Sequence, residues 1–182
     1  MPPADLRALA APNSLPNSKG KRFCAALPKR STAQAARPWL LGANVEDSLA
    51  EISDLDIHPV INSDWQKGMS SSIRSGLAEL TNLEPALEAV LFALMDQPLI
   101  TAEHLAQFVE RFQKDRPQII ASAYNGITGV PSLFSRELFD ELFKLGGEKG
   151  ARALIRDRAD LATIALEEAA FDVDDISDLE HL

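Results

Sequence analysis

The sequence contains one cysteine and three histidines, and this shortage excludes disulfide frameworks and several kinds of metal site. The single cysteine, Cys24, excludes an internal disulfide framework and a cysteine-built metal centre. The three histidines are scattered and lack zinc-ligand spacing. No apolar run is long enough to cross a bilayer, so no membrane partner is expected. What is present, 182 residues of which 46% are hydrophobic and 25% charged, is typical of one soluble globular domain. The single cysteine fits a reducing, cytoplasmic setting, which is the expected location.

Charge and proline divide the chain into two parts. Residues 1–40 carry seven Lys/Arg, one acidic residue and six of the eleven prolines, whereas residues 41–182 carry eleven Lys/Arg and 26 Asp/Glu. Prolines at this density interrupt regular elements, which predicts an irregular basic arm over 1–39 and one domain over 40–182. The acidic domain argues against nucleic acid as a partner, because neutralising phosphates needs a basic face.

Short apolar runs alternate with helical stripes from residue 40 onward. Strands are predicted over 57–61, 89–95, 119–124 and 161–166. Helices are predicted to start at serine or threonine caps, namely Ser70, Ser71 or Ser72, then Thr101, then Ser135. The stretch 125–131, rich in turn formers, is predicted to be a loop. This alternation is typical of an α/β domain, with a mostly parallel sheet covered by helices on both faces.

The most apolar predicted strand leads directly into Asp96-Gln97-Pro98. Pro98 ends the strand because it cannot donate to a ladder, which leaves Asp96 at the carboxyl end of a buried strand. Open α/β sheets bind their ligands at such ends. A carboxylate there requires a partner, and a hard divalent cation is one. The alternative is a strand-ending aspartate that caps the next turn.

Five motifs follow one another along the domain. They are Asn62-x-x-Trp65-x-x-Gly68-Met69-x-x-Ser72-Ile73-Arg74-x-Gly76-Leu77, Asp96-Gln97-Pro98, Gly129-x-Pro131-x-Leu133-Phe134, Gly147-Glu148-Lys149-Gly150-Ala151-Arg152 and Asp172-Val173-Asp174. In this order they resemble the MobA-like nucleotidyltransferases, and most closely the molybdenum cofactor cytidylyltransferase branch. The resemblance covers about residues 40–182.

The resemblance implies a Rossmann-like fold of the nucleotide-diphospho-sugar transferase type. It implies transfer of CMP from CTP, in preference to GMP from GTP, to a phosphorylated acceptor such as molybdopterin, with Mg²⁺ and release of pyrophosphate. Asp96 would bind the metal and act in catalysis, and the terminal cluster would supply a second carboxylate, Asp174 first and Asp172 second. The alternative for these terminal aspartates is helix capping at a solvated end. A molybdoenzyme or a maturation protein is the expected protein partner.

The resemblance also assigns nucleotide contacts. The turn Gly68-Met69-Ser70-Ser71-Ser72 would contact the base or a phosphate through hydroxyl and N–H groups at a helix start, the alternative being a plain serine cap. The remaining assigned residues are Arg74, Gln97, Pro98 and Arg152. Arg152 would suit an anionic acceptor, or would be an ordinary surface arginine. Glu148 stands where the family has Asp, and no role is assigned to it.

The N-terminal part departs from the family. The family opens with a strand and a glycine-rich phosphate loop, but here Pro12 and Pro16 stand where the loop has Gly and Arg, and only Lys21 matches the loop lysine. A proline removes an N–H group that phosphate binding needs. The strand–loop–helix unit is therefore predicted to be degenerate or missing, through a frameshift or deletion. The alternative function is a catalytically impaired relic that acts as a binding module.

Overall fold

Seven strands form one mixed sheet in a computed structural model that describes residues 22–27, 38–42, 45–51, 58–156, 158 and 161–173. The strand order is β3-β2-β1-β4-β6-β5-β7. Their bounds are β1 Arg22–Leu27, β2 Pro38–Leu41, β3 His58–Ile61, β4 Ala89–Leu94, β5 Ile119–Tyr124, β6 Ile127–Ser135 and β7 Ala162–Ala165. The strands predicted over 57–61, 89–95, 119–124 and 161–166 are thus confirmed.

Five strands of the sheet run in one direction and two run against them. β2 pairs with β3, and β5 with β7, in parallel. β1 is antiparallel to both β2 and β4, and β6 is antiparallel to both β4 and β5. The α/β class and the common direction of most strands are confirmed, although the two reversed strands make four of the neighbouring pairs antiparallel.

The helices cover both faces of this sheet. They are α1 Val45–Glu51, α2 Met69–Leu83, α3 Ala102–Asp115, α4 Phe139–Phe143 and α5 Arg152–Ile155. Because side chains alternate along a strand, β4 buries Val90 and Phe92 against α2 and α4, and Leu91 against α3. β4 is therefore buried on both faces, as its apolar sequence predicts. Within the described residues, no helix has the length and apolarity to cross a membrane.

The structure differs from the predicted irregular arm at strand β1. Arg22–Leu27 forms a strand in the middle of the sheet, hydrogen-bonded on both sides. Its apolar run Phe23-Cys24-Ala25-Ala26-Leu27 ends at Pro28, so the proline bounds the strand rather than interrupting it. Pro38 similarly stands at the first position of β2. Apart from the residues in these two strands, the predicted arm lies outside the described part.

A β-hairpin stands where the sequence predicted a loop over 125–131, and that prediction was wrong. Asn125 and Gly126 both have positive φ, 48° and 73°, which is the geometry of a two-residue type I′ turn. β6 begins at the next residue. The register between β5 and β6 shifts at Ala121/Ser122, and the irregularity accommodates Pro131, which has no N–H to donate. The dipeptide Asn125-Gly126, which favours a type I′ turn, was the sequence signal for this hairpin.

Candidate functional site

The turn after β4 carries the predicted metal-binding aspartate. β4 ends at Leu94, and Asp96 lies half-buried in the turn that follows. The backbone N–H of Val173 donates to the backbone carbonyl of Asp96, at 2.7 Å. This bond returns the C-terminal segment to the end of β4 and brings exposed Asp172 into the same region. Asp174 lies outside the described residues, so its metal-binding role stays a prediction.

Gln97 joins three segments at this turn. Its buried side chain donates from Nε2 to the carbonyl of Val130 in β6, at 3.2 Å, and to the carbonyl of Ala169, at 2.8 Å. Ala169 belongs to a 3-10 turn, Glu167–Ala170, that leads into Asp172. Gln97 was predicted to bind the nucleotide, but both of its N–H donors are used inside the protein. The geometry gives it a positioning role.

A cavity of about 690 Å³ opens beside this turn. Its lining includes Met69, Phe92, Gln97, Tyr124, Arg152 and Asp172. It therefore borders the starts of α2 and α5, the end of β5 and the returning C-terminal segment. Four of the predicted site residues meet at this cavity, namely Met69, Gln97, Arg152 and Asp172. Pro98 lies half-buried in the next turn, two residues after Asp96.

The start of α2 packs against the glycine-rich turn Gly147–Lys149. Gly68 precedes α2 with φ 94°, and a Cβ placed on it would lie 2.7 Å from the Glu148 carboxylate. A Cβ on Gly150 would in turn collide with the side chain of Met69. The two glycine motifs thus allow a close approach between two segments of the protein. At Gly68, where the nucleotide was predicted to approach the backbone closely, the side chain of Glu148 occupies the space.

The serines of α2 are buried in its first turn and do not cap it. The helix begins at Met69 with Gly68 as its N-cap, so the predicted serine cap was wrong. The side chain of buried Asn62 donates to the hydroxyls of Ser71, at 2.8 Å, and Ser72, at 3.0 Å. Ser70 is fully buried. Of the predicted base-contacting residues, only Met69 lines the cavity.

Two further predicted residues lie away from the cavity or outside the described part. Arg74 donates to the carbonyl of Leu145 after α4, so its guanidinium fastens α2 to that segment. Lys21 lies outside the described residues. The next residue, Arg22, pairs with Leu94 at the end of β4, two positions before Asp96.

Tyr124, which the sequence analysis did not single out, lies between the cavity and a second one of about 620 Å³. Its hydroxyl lies over Gly129, where a Cβ would be only 2.5 Å away. Burial raises the pKa of Tyr124 above its ordinary value; the positive charge of Arg152 opposes this rise and the negative charge of Asp172 adds to it. Tyr124 therefore lies within electrostatic reach of two oppositely charged site residues, Arg152 and Asp172.

This fold, with a carboxylate-bearing turn at the end of a central strand and a cavity beside it, defines a nucleotidyltransferase-type α/β domain. A sequence model of the MobA-like NTP transferase domain matches residues 14–163. The chain belongs to the MobA-like NTP transferase family, whose members act on nucleoside triphosphates. The match begins nearer the N-terminus than the predicted resemblance over 40–182, and it ends before Asp172.

Several solved structures are similar to this chain. A homologue of Mycobacterium tuberculosis rv0371c, from Mycobacterium sp. strain JC1, is 31% identical with a TM-score of 0.62, over 78% of this chain and 70% of that one. Rv0371c of M. tuberculosis in complex with manganese is 24% identical, with a TM-score of 0.64, over 78% and 74%. Molybdopterin-guanine dinucleotide biosynthesis protein A from Archaeoglobus fulgidus is 13% identical, with a TM-score of 0.55, over 78% and 75%, and shows the shared fold. A comparison with curated proteins gives no match.

Proposed function

We propose that this chain transfers CMP from CTP, or GMP from GTP, to a phosphorylated acceptor such as molybdopterin, releasing pyrophosphate. The observation that carries the proposal is the bond from Val173 to Asp96, which brings a second carboxylate, Asp172, to the end of β4 beside the cavity. The family supplies the reaction class. The sequence motifs supply the preference for CTP and for molybdopterin.

The carboxylates in this region suit a hard divalent cation, and Mg²⁺ is the proposed one. Within the described residues, no group of three or more His, Cys, Asp or Glu side chains could hold a metal by itself. In nucleotide-using enzymes, Mg²⁺ is usually bound by one or two protein carboxylates together with the substrate phosphates. The manganese complex of Rv0371c supports a divalent cation in this fold. Asp96 and Asp172 would hold it, with Asp174 as a further candidate.

The reaction needs alignment and charge neutralisation more than acid–base chemistry. An anionic oxygen of the acceptor phosphate attacks the α-phosphorus of the nucleotide, and a new P–O–P linkage forms as the bond to the bridging β-oxygen breaks. The bound cation would neutralise phosphate charge. Gln97 holds the Asp172 segment near Asp96 through Ala169. Arg152 lines the cavity and supplies positive charge there.

The direction of β1 favours a second candidate function, an inactive relic that binds a partner. Arg22 pairs with Leu94 and Leu27 pairs with Ala89, so the chain enters β1 at the Asp96 end of the sheet and leaves at the other end. In the family the phosphate loop follows the first strand, whereas here the loop-like sequence that ends at Lys21 precedes β1, and the carboxyl end of β1 lies at the edge away from Asp96. Pro12 and Pro16 also disrupt the expected loop sequence. For either candidate we propose a cytoplasmic setting and a molybdoenzyme or maturation protein as partner.

Nucleotide titration with a pyrophosphate-release assay separates the two candidates. Calorimetric titration of the full chain with CTP and with GTP, each with Mg²⁺ or Mn²⁺, measures binding. Micromolar affinity that requires the metal, with pyrophosphate released when molybdopterin is added, supports the transferase. No binding at millimolar nucleotide would reject the transferase and favour the relic.

A further inference from the structure

Two arginines that line cavities together with Tyr124 differ from five other arginines whose side chains the structure describes. Five arginine side chains there donate to a carboxylate, an amide or a backbone carbonyl: Arg74, Arg111, Arg116, Arg136 and Arg158. Within the same described residues, the side chains of Arg152 and Arg156 have no hydrogen bond or ion pair. They lie in an acidic domain with 26 Asp/Glu among residues 41–182, where carboxylates are plentiful.

The pair lies on one side of a short helical segment. Arg152 begins α5 and Arg156 follows its last residue, and the N–H of Arg156 donates to the carbonyl of Arg152 at 3.1 Å. Side chains four residues apart on a helix are neighbours. Both side chains line the first cavity and also the second one. Arg152 and Arg156 therefore border both cavities.

The second cavity differs from the first in its charge. Its described lining has Arg152, Arg156 and Thr128 and one carboxylate, Glu167, which accepts a bond from the Asn125 N–H at 3.3 Å. Asp172 and Gln97 line only the first cavity. A metal-bound triphosphate suits the side with Asp172. The second cavity has the same Arg152, Arg156 and Tyr124 donors but only one carboxylate, Glu167, whereas the first has Glu148 and Asp172. A phosphate group that arrives without its own metal therefore suits the second cavity.

We propose that Arg152 and Arg156, together with the Tyr124 hydroxyl, form the subsite for the phosphate of the acceptor. The ligand class is a phosphate monoester dianion, held in the second cavity beside the nucleotide. This inference rests on the proposed function, because it assigns the second substrate of that reaction. Held there, an acceptor phosphate oxygen would face the first cavity across Tyr124, which lines both.

The test uses inorganic phosphate as the probe, titrated calorimetrically into the metal-free full chain. The variants are Arg152→Gln, Arg156→Gln and their combination, and the control is Arg111→Gln, which removes an exposed ion pair to Asp115 on α3. We expect millimolar binding to the unaltered chain, a loss of about tenfold or more in each site variant, and no change in the control. Equal urea midpoints show that each variant folds.

Two results would overturn the inference. One is phosphate binding that is absent from the unaltered chain or unchanged in Arg156→Gln. The other is an equal loss of phosphate and of Mg²⁺–CTP affinity in Arg156→Gln, which would place the arginines on the triphosphate. The phosphate titration contains no nucleotide and no metal, so a chain without transferase activity can still support the subsite. If the variants bind phosphate as the unaltered chain does, and the chain still releases pyrophosphate, the subsite is rejected but the transferase function is not.

Discussion

The carboxylate of Glu148 lies directly over the α-carbon of Gly68. No side-chain atom fits between them, because a Cβ on Gly68 would lie 2.7 Å from Oε1 of Glu148 and 2.9 Å from the backbone of Gly147. This relationship fastens the turn Gly147–Lys149 to the start of α2. It explains two separated glycine motifs as the two sides of one contact.

Gly68→Ala is expected to destabilise the protein. The φ of 94° and the collision with Glu148 both oppose a side chain, at a cost of about 1–3 kcal/mol. The measurement is the urea unfolding midpoint. Gly146→Ala is the matched control, because φ there is −139° and no atom lies within 4 Å of the added Cβ. Equal stability of the two variants would contradict the close packing at Gly68.

Gly129→Ala and Tyr124→Phe are expected to be coupled. A methyl group at position 129 meets the Tyr124 hydroxyl at 2.5 Å, so Gly129→Ala alone should destabilise β6. Removing the hydroxyl relieves the collision, and the double variant should recover part of the loss, by about 1 kcal/mol in a double-mutant cycle. Strictly additive losses in the urea midpoints would rule out direct contact between the two positions.

Gln97→Met is expected to weaken both stability and metal-dependent nucleotide binding. The variant keeps the volume of the side chain but leaves the carbonyls of Val130 and Ala169 without their donor, at a cost of about 2 kcal/mol. Nucleotide titration at increasing Mn²⁺ concentration should then require more metal, because the Asp172 segment is held less firmly. Gln113→Met, on the exposed face of α3, is the control. An unchanged metal requirement would limit Gln97 to a role in stability.

Asp96→Asn is expected to weaken metal-dependent nucleotide binding strongly, with little effect on folding. The substitution keeps the backbone carbonyl that accepts from Val173 and removes the negative charge that attracts a cation. We expect at least a tenfold loss in affinity for Mn²⁺–CTP, measured by calorimetry, with Asp172→Asn weakened to a smaller degree. The control is Asp140→Asn, at an exposed position in α4. Full affinity in Asp96→Asn would exclude this carboxylate as a ligand.

The titration of Tyr124 can be followed directly, since it is the chain's single tyrosine. Burial raises its pKa, so in metal-free buffer the midpoint of its ultraviolet absorbance change should lie at a higher pH than that of free tyrosine. Arg152→Gln should raise the pKa further, and Asp172→Asn should lower it. Because the native pKa is the higher one, the contribution to stability is complete below the unfolded pKa and is lost as the pH rises through the native value. A shift of the opposite sign in either variant would contradict the placement of these charges around Tyr124.

Local patterns were sufficient for much of the domain. The helical stripe of Ile73, Leu77 and Leu80 and the Thr101 cap both have their predicted roles, because periodicity and capping depend on neighbours in sequence. The hairpin at Asn125-Gly126 was also encoded locally. The sequence interpretation favoured a loop because of the other turn-forming residues that follow this dipeptide. The serine cap failed because α2 starts one residue before the serines, with Gly68 as its N-cap, and the side chain of Asn62, just after β3, donates to the hydroxyls of Ser71 and Ser72.

The sequence by itself determined the α/β class, the burial of β4 and the position of Asp96 at its end. Only the tertiary structure decided what meets there: the Val173 bond to Asp96, the Gln97 bonds to Val130 and Ala169, and the direction of β1. The reason is physical. Hydrophobic periodicity is written within one segment, whereas strand direction and the partner of a buried amide depend on segments that are distant in the chain.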